Sequence, residues 1–394
     1  MEARGCVRLP VQGEYAEMRA TNNPQQVAEA RRPRGMVKIN GQIMPGWIEW
    51  EIDNNTFYQA DTFHVSFALS MLPSEFSGNW WAKQRTISVE VLAGFPVDPE
   101  WFDASELDSL IYGNVDEIEI DQVRGVLELH GRDLTSLLID TKVTEEFRNK
   151  RAWEIATVLA ERHGLKPVIT KTDSVTGGYY EIDHSRFQIQ QSEWDLLTQE
   201  AHKERFVVYV AGKELHFEPR PSEGAVPYVL QWEAPTADNA SPNFNGMRLS
   251  FKRALTVAKG VVVKVSSWNP KTKQKYSVTY PSGHAKGISP GQSSPPATVY
   301  PFVRPGLTPE KAMQLAEAYH QEITQHEMKL LADLPGDNLL KAGMPIKMIG
   351  SGMEFDQTYY ADSVVRRMSI ESGYAMSVTA KNVSPDLADS VVGG

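Results

Sequence analysis

Cysteine is nearly missing: Cys6 stands alone in 394 residues, so no intrachain disulfide can form and no cysteine cluster is available for zinc. Packing has to supply the stability. Long apolar runs are missing too. None approaches the eighteen residues that cross a bilayer, and the opening MEARGCVRLP lacks the apolar core of a secretory signal. The expectation is a protein made in a cytosol and not exported by a signal peptide. Positive charge is in deficit, with a formal net charge of −10. That balance repels phosphate and argues against duplex binding through a basic patch, while leaving room for a surface past which DNA slides.

What is present is close to an average soluble composition, 41% hydrophobic and 23% charged, enough to bury a sizeable core. The length exceeds what one core usually serves and predicts two or three domains. Residues 1–35 carry net +2, leaving −12 for the rest. With Asn22-Asn23-Pro24 and Arg31-Arg32-Pro33 and no strong periodicity, this stretch reads as an N-terminal arm or as an extension of little importance.

From Met36 to about Asp140 the period is two. Asn40-Gly41 marks a tight hairpin turn, Phe63, Val65 and Phe67 alternate with His64 and Ser66, and Ile118 and Ile120 alternate with acids, giving a small antiparallel sheet or barrel. The period then becomes helical. Ile155, Ala156, Leu159 and Ala160 form one stripe closed by Gly164, and Ser192-Glu193-Trp194-Asp195 matches a capping box that opens a helix feeding the hairpin at Ala211-Gly212-Lys213. From about Pro227 strands return, including Met247–Phe251, Val261–Val265 and Tyr276–Tyr280. A long helix is predicted from Thr308-Pro309 to about Leu331, with closing strands near 345–349, 359–370 and 374–381. The fold class is therefore α+β, mainly β: residues 36–140 and 221–385 as two β units flanking a mixed α/β insertion at 141–220, with a short tail at 386–394.

Chemistry-bearing motifs are few. Nine acids and no Lys or Arg lie between Asp98 and Asp121, but without the spacing and Gly of a calcium loop, which favours a solvated face. Gly287-Ile288-Ser289-Pro290-Gly291 fits the G-x-S-x-G pattern. Its oxyanion hole would need the N–H of residue 290, which is a proline. His320 and His326 are six residues apart, about 240° around a helix, and cannot share one metal. There is no H-E-x-x-H, P-loop or dinucleotide fingerprint. Trp80-Trp81, read as strand neighbours pointing to opposite faces, and Trp101 offer stacking surfaces for glycans, with core or subunit-interface packing the favoured use. No catalytic, cofactor-binding or metal-ligating residue is assigned, and no cofactor is expected.

Several stretches resemble the late control gene D family of phage baseplate hub proteins: GRDLTSLLID at 131–140, RAWEIATVLAERHGL at 151–165, SEWDLLTQEAHKERFVVYVAGKELHFEP at 192–219, SSWNPKTK at 266–273, LPGD at 334–337 and YYADSVV at 359–365. The resemblance covers most of residues 36–385 and rests on the order and spacing of these motifs. It implies two tube-like antiparallel β-barrel domains per chain in a homotrimer. That ring would join a hexameric tail tube to a trimeric central spike around a channel through which DNA only passes. Tail tube, spike, peripheral baseplate and tape measure proteins are the implied partners, and the baseplate of a virion assembled in host cytoplasm is the implied location. A tail-associated cell-wall hydrolase or a glycan-binding tail-tip protein is the alternative. On this reading purified protein leaves peptidoglycan zymograms uncleared; clearing that disappears with Ser289→Ala would overturn it.

Overall fold

The Asn40-Gly41 pair starts the first sheet. Both residues have positive φ, 50° and 82°, and Asn40 Oδ1 accepts the Ser88 N–H at 2.9 Å, tying the turn to a neighbouring strand. Strands β1 (Arg34–Ile39), β2 (Gln42–Met44), β3 (Trp47–Asn55), β4 (Thr62–Ala68), β5 (Ser88–Gly94), β6 (Asp108–Asp121) and β7 (Val126–Asp133) pair antiparallel in the order β2-β1-β5-β6-β7-β4-β3. One face buries Ile39, Ile52, Phe67, Val89, Leu127 and Leu129. The computed structural model describes residues 32–56, 58–143, 147, 150–172, 175–176, 191–204, 206–219, 226–237, 240–255, 261–269, 274–281, 298–304, 307–324 and 327–382. Nearly all of the 1–35 stretch, the 386–394 tail, the Gly287–Gly291 motif and His326 lie outside them.

Trp80 and Trp81 are not strand neighbours. They lie on a short helix, α1 (Gly78–Lys83), because the Ser77 side chain accepts the Trp80 N–H and caps it. Trp81 is buried in the core, donating its indole N–H to the Phe76 carbonyl at 3.0 Å, while Trp80 packs edge-on against it. Trp101 is 85% exposed.

The middle of the chain holds α2 (Thr135–Asp140), β8 (Lys150–Arg151), α3 (Ala152–Arg162), β9 (Lys166–Ile169), β10 (Val175–Thr176), α4 (Glu193–Glu204), β11 (Phe206–Ala211) and β12 (Glu214–Pro219). The capping box forms as expected: Asp195 N–H donates to Ser192 Oγ and Ser192 N–H to Asp195 Oδ2, both at 3.0 Å. Gly164, at φ 69°, follows α3 in the left-handed conformation that glycine adopts without strain. Leu159, Leu197, Leu215 and Phe217 pack the three helices onto the β11-β12-β9 sheet. This block is held to the first sheet by the β3–β4 loop, where Tyr58 donates its hydroxyl to the Phe206 carbonyl at 2.7 Å and accepts the Trp194 indole N–H on its own carbonyl at 3.0 Å.

The remaining strands are β13 (Tyr228–Glu233), β14 (Asn243–Phe244), β15 (Arg248–Arg253), β16 (Val261–Asn269), β17 (Gln274–Tyr280), β18 (Thr298–Val303), β19 (Met328–Pro335), β20 (Pro345–Ile349), β21 (Thr358–Ser369) and β22 (Gly373–Lys381), with helix α5 (Pro309–Thr324). Two expectations change here. The helix ends at Thr324 and not near Leu331; Leu330, Ala332 and Leu334 are buried at strand period, and β19 is paired on both edges, by β15 and β22. Strands β16 to β18 do not join the large sheet. They form their own three-stranded sheet because α5 covers Val261, Val263 and Val265 with Ala312 and Ala316. Among the described residues no helix is long and apolar enough to cross a membrane.

The fold is mainly β, with 50% of the described residues in strands and 19% in helices, but the expected closed barrels do not form among them. Fourteen strands make one open sheet. The reason is β21, whose twelve residues serve both halves of the chain. One edge pairs with β22 along its length. On the other edge, Thr358–Tyr360 pair with β20 and, after a bulge between Ala361 and Ser363, Ser363–Ser369 pair with β3.

The junction is sealed by a buried arginine. Arg366 on β21 is 3% exposed and donates to the carbonyls of Asp337 (2.9 Å) and Leu340 and to Asn54 Oδ1 on β3 (2.9 Å). The L-P-G-D run supplies the rest. Asp337 accepts the Tyr228 hydroxyl at 2.8 Å, Asn338 donates to the Ala93 carbonyl at 2.8 Å, and an added Cβ at Gly336 would lie 2.4 Å from the Tyr374 ring. Arg366→Ala leaves the buried Leu340 carbonyl and the Asn54 amide oxygen without their donor and the Asp337 carbonyl with the Tyr374 hydroxyl alone, so it should lower stability by about 3 kcal/mol in urea denaturation of the full chain. A loss below about 0.5 kcal/mol, the range of ordinary surface substitutions, would show that the joint does not depend on it.

Candidate functional site

The outward face of the first sheet concentrates the charge. Residues opposite in register form rows across five strands: Arg367 (β21), Glu51 (β3), His64 (β4), His130 (β7) and Glu117 (β6), with Ser369, Glu49, Ser66, Glu128 and Glu119 beside them. Strand alternation forces this, because the neighbours Trp50, Ile52, Phe63, Val65 and Leu129 fill the core. A cleft of about 510 Å³ opens on the face, lined by Glu51, Asp53, His64, Asp116, His130 and Arg132 among others. Arg367 pairs with Glu51, and Arg132 with Asp116 at 2.7 Å and Asp140 at 2.9 Å.

The two imidazoles stack, ring centroids 4.4 Å apart and 12° from parallel. His64 Nε2 and His130 Nε2 each lie 3.9 Å from the same atom, Glu128 Oε2. Burial holds His64 below its usual pKa, and the adjacent His130 pushes the same way, so the ring is neutral near pH 7. Ser66 Oγ is 3.4 Å from His64 Nε2, a nucleophile–base pairing on paper. Ser66 sits mid-strand between β3 and β7, and its neighbouring N–H groups are committed to the ladders rather than aimed at a developing oxyanion.

The acidic run and His320, weighed in the sequence and assigned no site, lie elsewhere. Asp98 and Asp103 accept backbone N–H groups within their own loop, and Asp121 caps the turn to β7 while pairing with Arg124 at 2.6 Å. The acidic run thus works as turn caps and ion pairs. His320 packs edge-on against Tyr280 on the three-stranded sheet. The His64–Glu128–His130 group went unrecognised in the sequence. The pattern Glu128-Leu129-His130 places two ligand-type residues on one face, but nothing local reveals that His64 is the cross-strand partner of His130.

Beneath the face, the G-R-D-L-T run explains itself. Gly131 points inward, where an added Cβ would lie 2.2 Å from the Asn114 carbonyl oxygen and 2.4 Å from Phe63. Asp133 points inward too and accepts the Thr135 N–H (3.2 Å) and hydroxyl (2.9 Å), starting α2. Burial raises the Asp133 carboxyl to about 8, with nearby Asp61 adding to it, and raises Asp61 to about 6. Carboxyls raised above an unfolded value of about 3.9 contribute fully below that value, and the contribution is lost as pH rises from there to the folded values of about 6 and about 8. Asp133→Asn should therefore gain stability relative to the parent chain between about pH 4 and pH 8, by at most about 1.4 kcal/mol per pH unit, and stay level above that. Parallel stability–pH curves would contradict the assignment.

No family model matches the sequence, and no curated protein matches it. Solved structures do match. A tail protein from Neisseria meningitidis MC58 superposes with a TM-score of 0.65 at 15% identity, over 89% of this chain and 96% of that one. The 43 kDa tail protein of prophage MuSo2 from Shewanella oneidensis gives 0.62 at 14% identity, over 90% and 99%. A prophage tail protein from Listeria monocytogenes EGD-e gives 0.52 at 11%, over 91% and 96%. In fold this chain is similar to these tail proteins.

Proposed function

We propose that this chain is the baseplate hub of a contractile phage tail, a non-enzymatic structural protein of the late control gene D type. Three copies form a ring between the hexameric tail tube and the trimeric central spike. Residues 36–140 and 221–385 are the two tube-like units, 141–220 the inserted domain, 1–35 an arm docked on a neighbour and 386–394 a tail. The ring is assembled in host cytoplasm and sits in the virion baseplate, contacting tube, spike, peripheral baseplate and tape measure proteins.

The observation that carries this reading is the shared strand β21. It joins the strands of both halves of the chain into one open sheet; with each half taken as one tube-like unit, three chains present six, which resolves the mismatch between six-fold tube and three-fold spike. The rows of Glu49, Glu51, Glu117, Glu119 and Glu128 suit a channel wall, since an acid-rich surface gives phosphates no foothold and DNA passes without stalling. Neither a hydrolytic centre nor a glycan platform has comparable support. Cryo-EM of the assembled tail, or native mass spectrometry of the hub with its spike, should give three copies with the acidic face toward a common axis. A different stoichiometry, or that face turned outward, would sink the model.

A further inference from the structure

We propose that His64 Nε2, Glu128 Oε2 and His130 Nε2 form a three-ligand site for a divalent transition metal ion of the zinc type, a property independent of any role in a tail. The backbone sets the arrangement. In an antiparallel pair, a residue, its second neighbour along the strand and its cross-strand partner share one face within reach of a single ion. Here Glu128 and His130 are second neighbours on β7, and His64 on β4 is the registered partner of His130.

The ligand atoms all lie within 4.8 Å of one another, with both imidazole nitrogens 3.9 Å from the carboxylate oxygen. A tetrahedral ion with bonds near 2.0–2.1 Å needs its ligand atoms roughly 3.3 Å apart, so each nitrogen–oxygen gap must close by about 0.6 Å, and the rings, 12° from parallel, must rotate out of their stack until both planes contain the ion. Two imidazoles and a carboxylate suit zinc, cobalt or nickel, whereas calcium and magnesium prefer all-oxygen shells. Glu119 is the cross-strand partner of Glu128, and Glu49 stands in the same row one strand further on, beyond Ser66, adding field favourable to a cation. Ser66 Oγ and solvent are at hand for the fourth position. His64, Glu128 and His130 side chains are 29%, 25% and 44% exposed, which leaves an entry path.

A bound ion would cross-link β4 to β7 through side chains on the face opposite the core. The test is a cobalt(II) titration of tag-free full-length protein, read by visible absorption of the coordinated ion. One equivalent should bind with the intense bands of low coordination number. His64→Ala, His130→Ala and Glu128→Gln should each weaken binding at least tenfold, with circular dichroism confirming that the variants fold. Zinc should raise the melting temperature of the parent chain and leave that of His130→Ala unmoved. No spectral change, or a titration unaffected by these substitutions, would overturn the site while leaving the hub reading untouched.

Discussion

Everything in this molecule hangs on one strand having to satisfy two sheets. A strand has two hydrogen-bonding edges, and β21 divides one of them between β20 and β3. The division requires a bulge, since the two partners approach at different positions along its length. It also brings side chains from far-separated parts of the chain into a buried seam. Arg366 is suited to that seam because a guanidinium presents several donors in a fixed plane, and here they reach two carbonyls of the 337–340 loop and an amide of β3. Without such a residue the Leu340 carbonyl would be buried with no donor, and the Asp337 carbonyl would keep only the Tyr374 hydroxyl.

Local signals in the sequence are legible where the physics is local. The Asn40-Gly41 turn, the Ser192–Asp195 cap, Gly164 and Thr308-Pro309 behave as their chemistry dictates, because each involves a few neighbouring residues. The Met328–Pro335 segment defeated the reading because its apolar residues also suit a helix, and only pairing with β15 and β22 decides the matter. Trp80-Trp81 failed for a different reason: a single capping serine overrode the strand expectation. Barrel closure and the separate β16–β18 sheet depend on which strands find each other, information that no local pattern carries.

The site follows the same division. Alternation along β3, β4, β6 and β7 already assigns Glu51, His64, Glu117 and His130 to polar positions. Their convergence into one row is a matter of register, set by two hairpin pairings 13 residues apart and by the His64–His130 pairing 66 residues apart in sequence. Asp133 shows the converse. Its place in the G-R-D-L-T motif is visible, but the upward push on its carboxyl comes from burial, with Asp61 adding to it, and only the folded structure supplies both.

The shared strand also has a consequence for the order in which the chain can mature. Strand β3 is made early, yet one of its edges is completed by residues 363–369, some three hundred positions later. During synthesis that edge remains open for as long as the intervening domains take to emerge, a condition under which bare strands recruit wrong partners. Glu49, Glu51 and Asp53 alternate along it. Like charges at this spacing would repel a second copy of the same strand, so the acids that line the finished face also guard the unfinished one until β21 arrives.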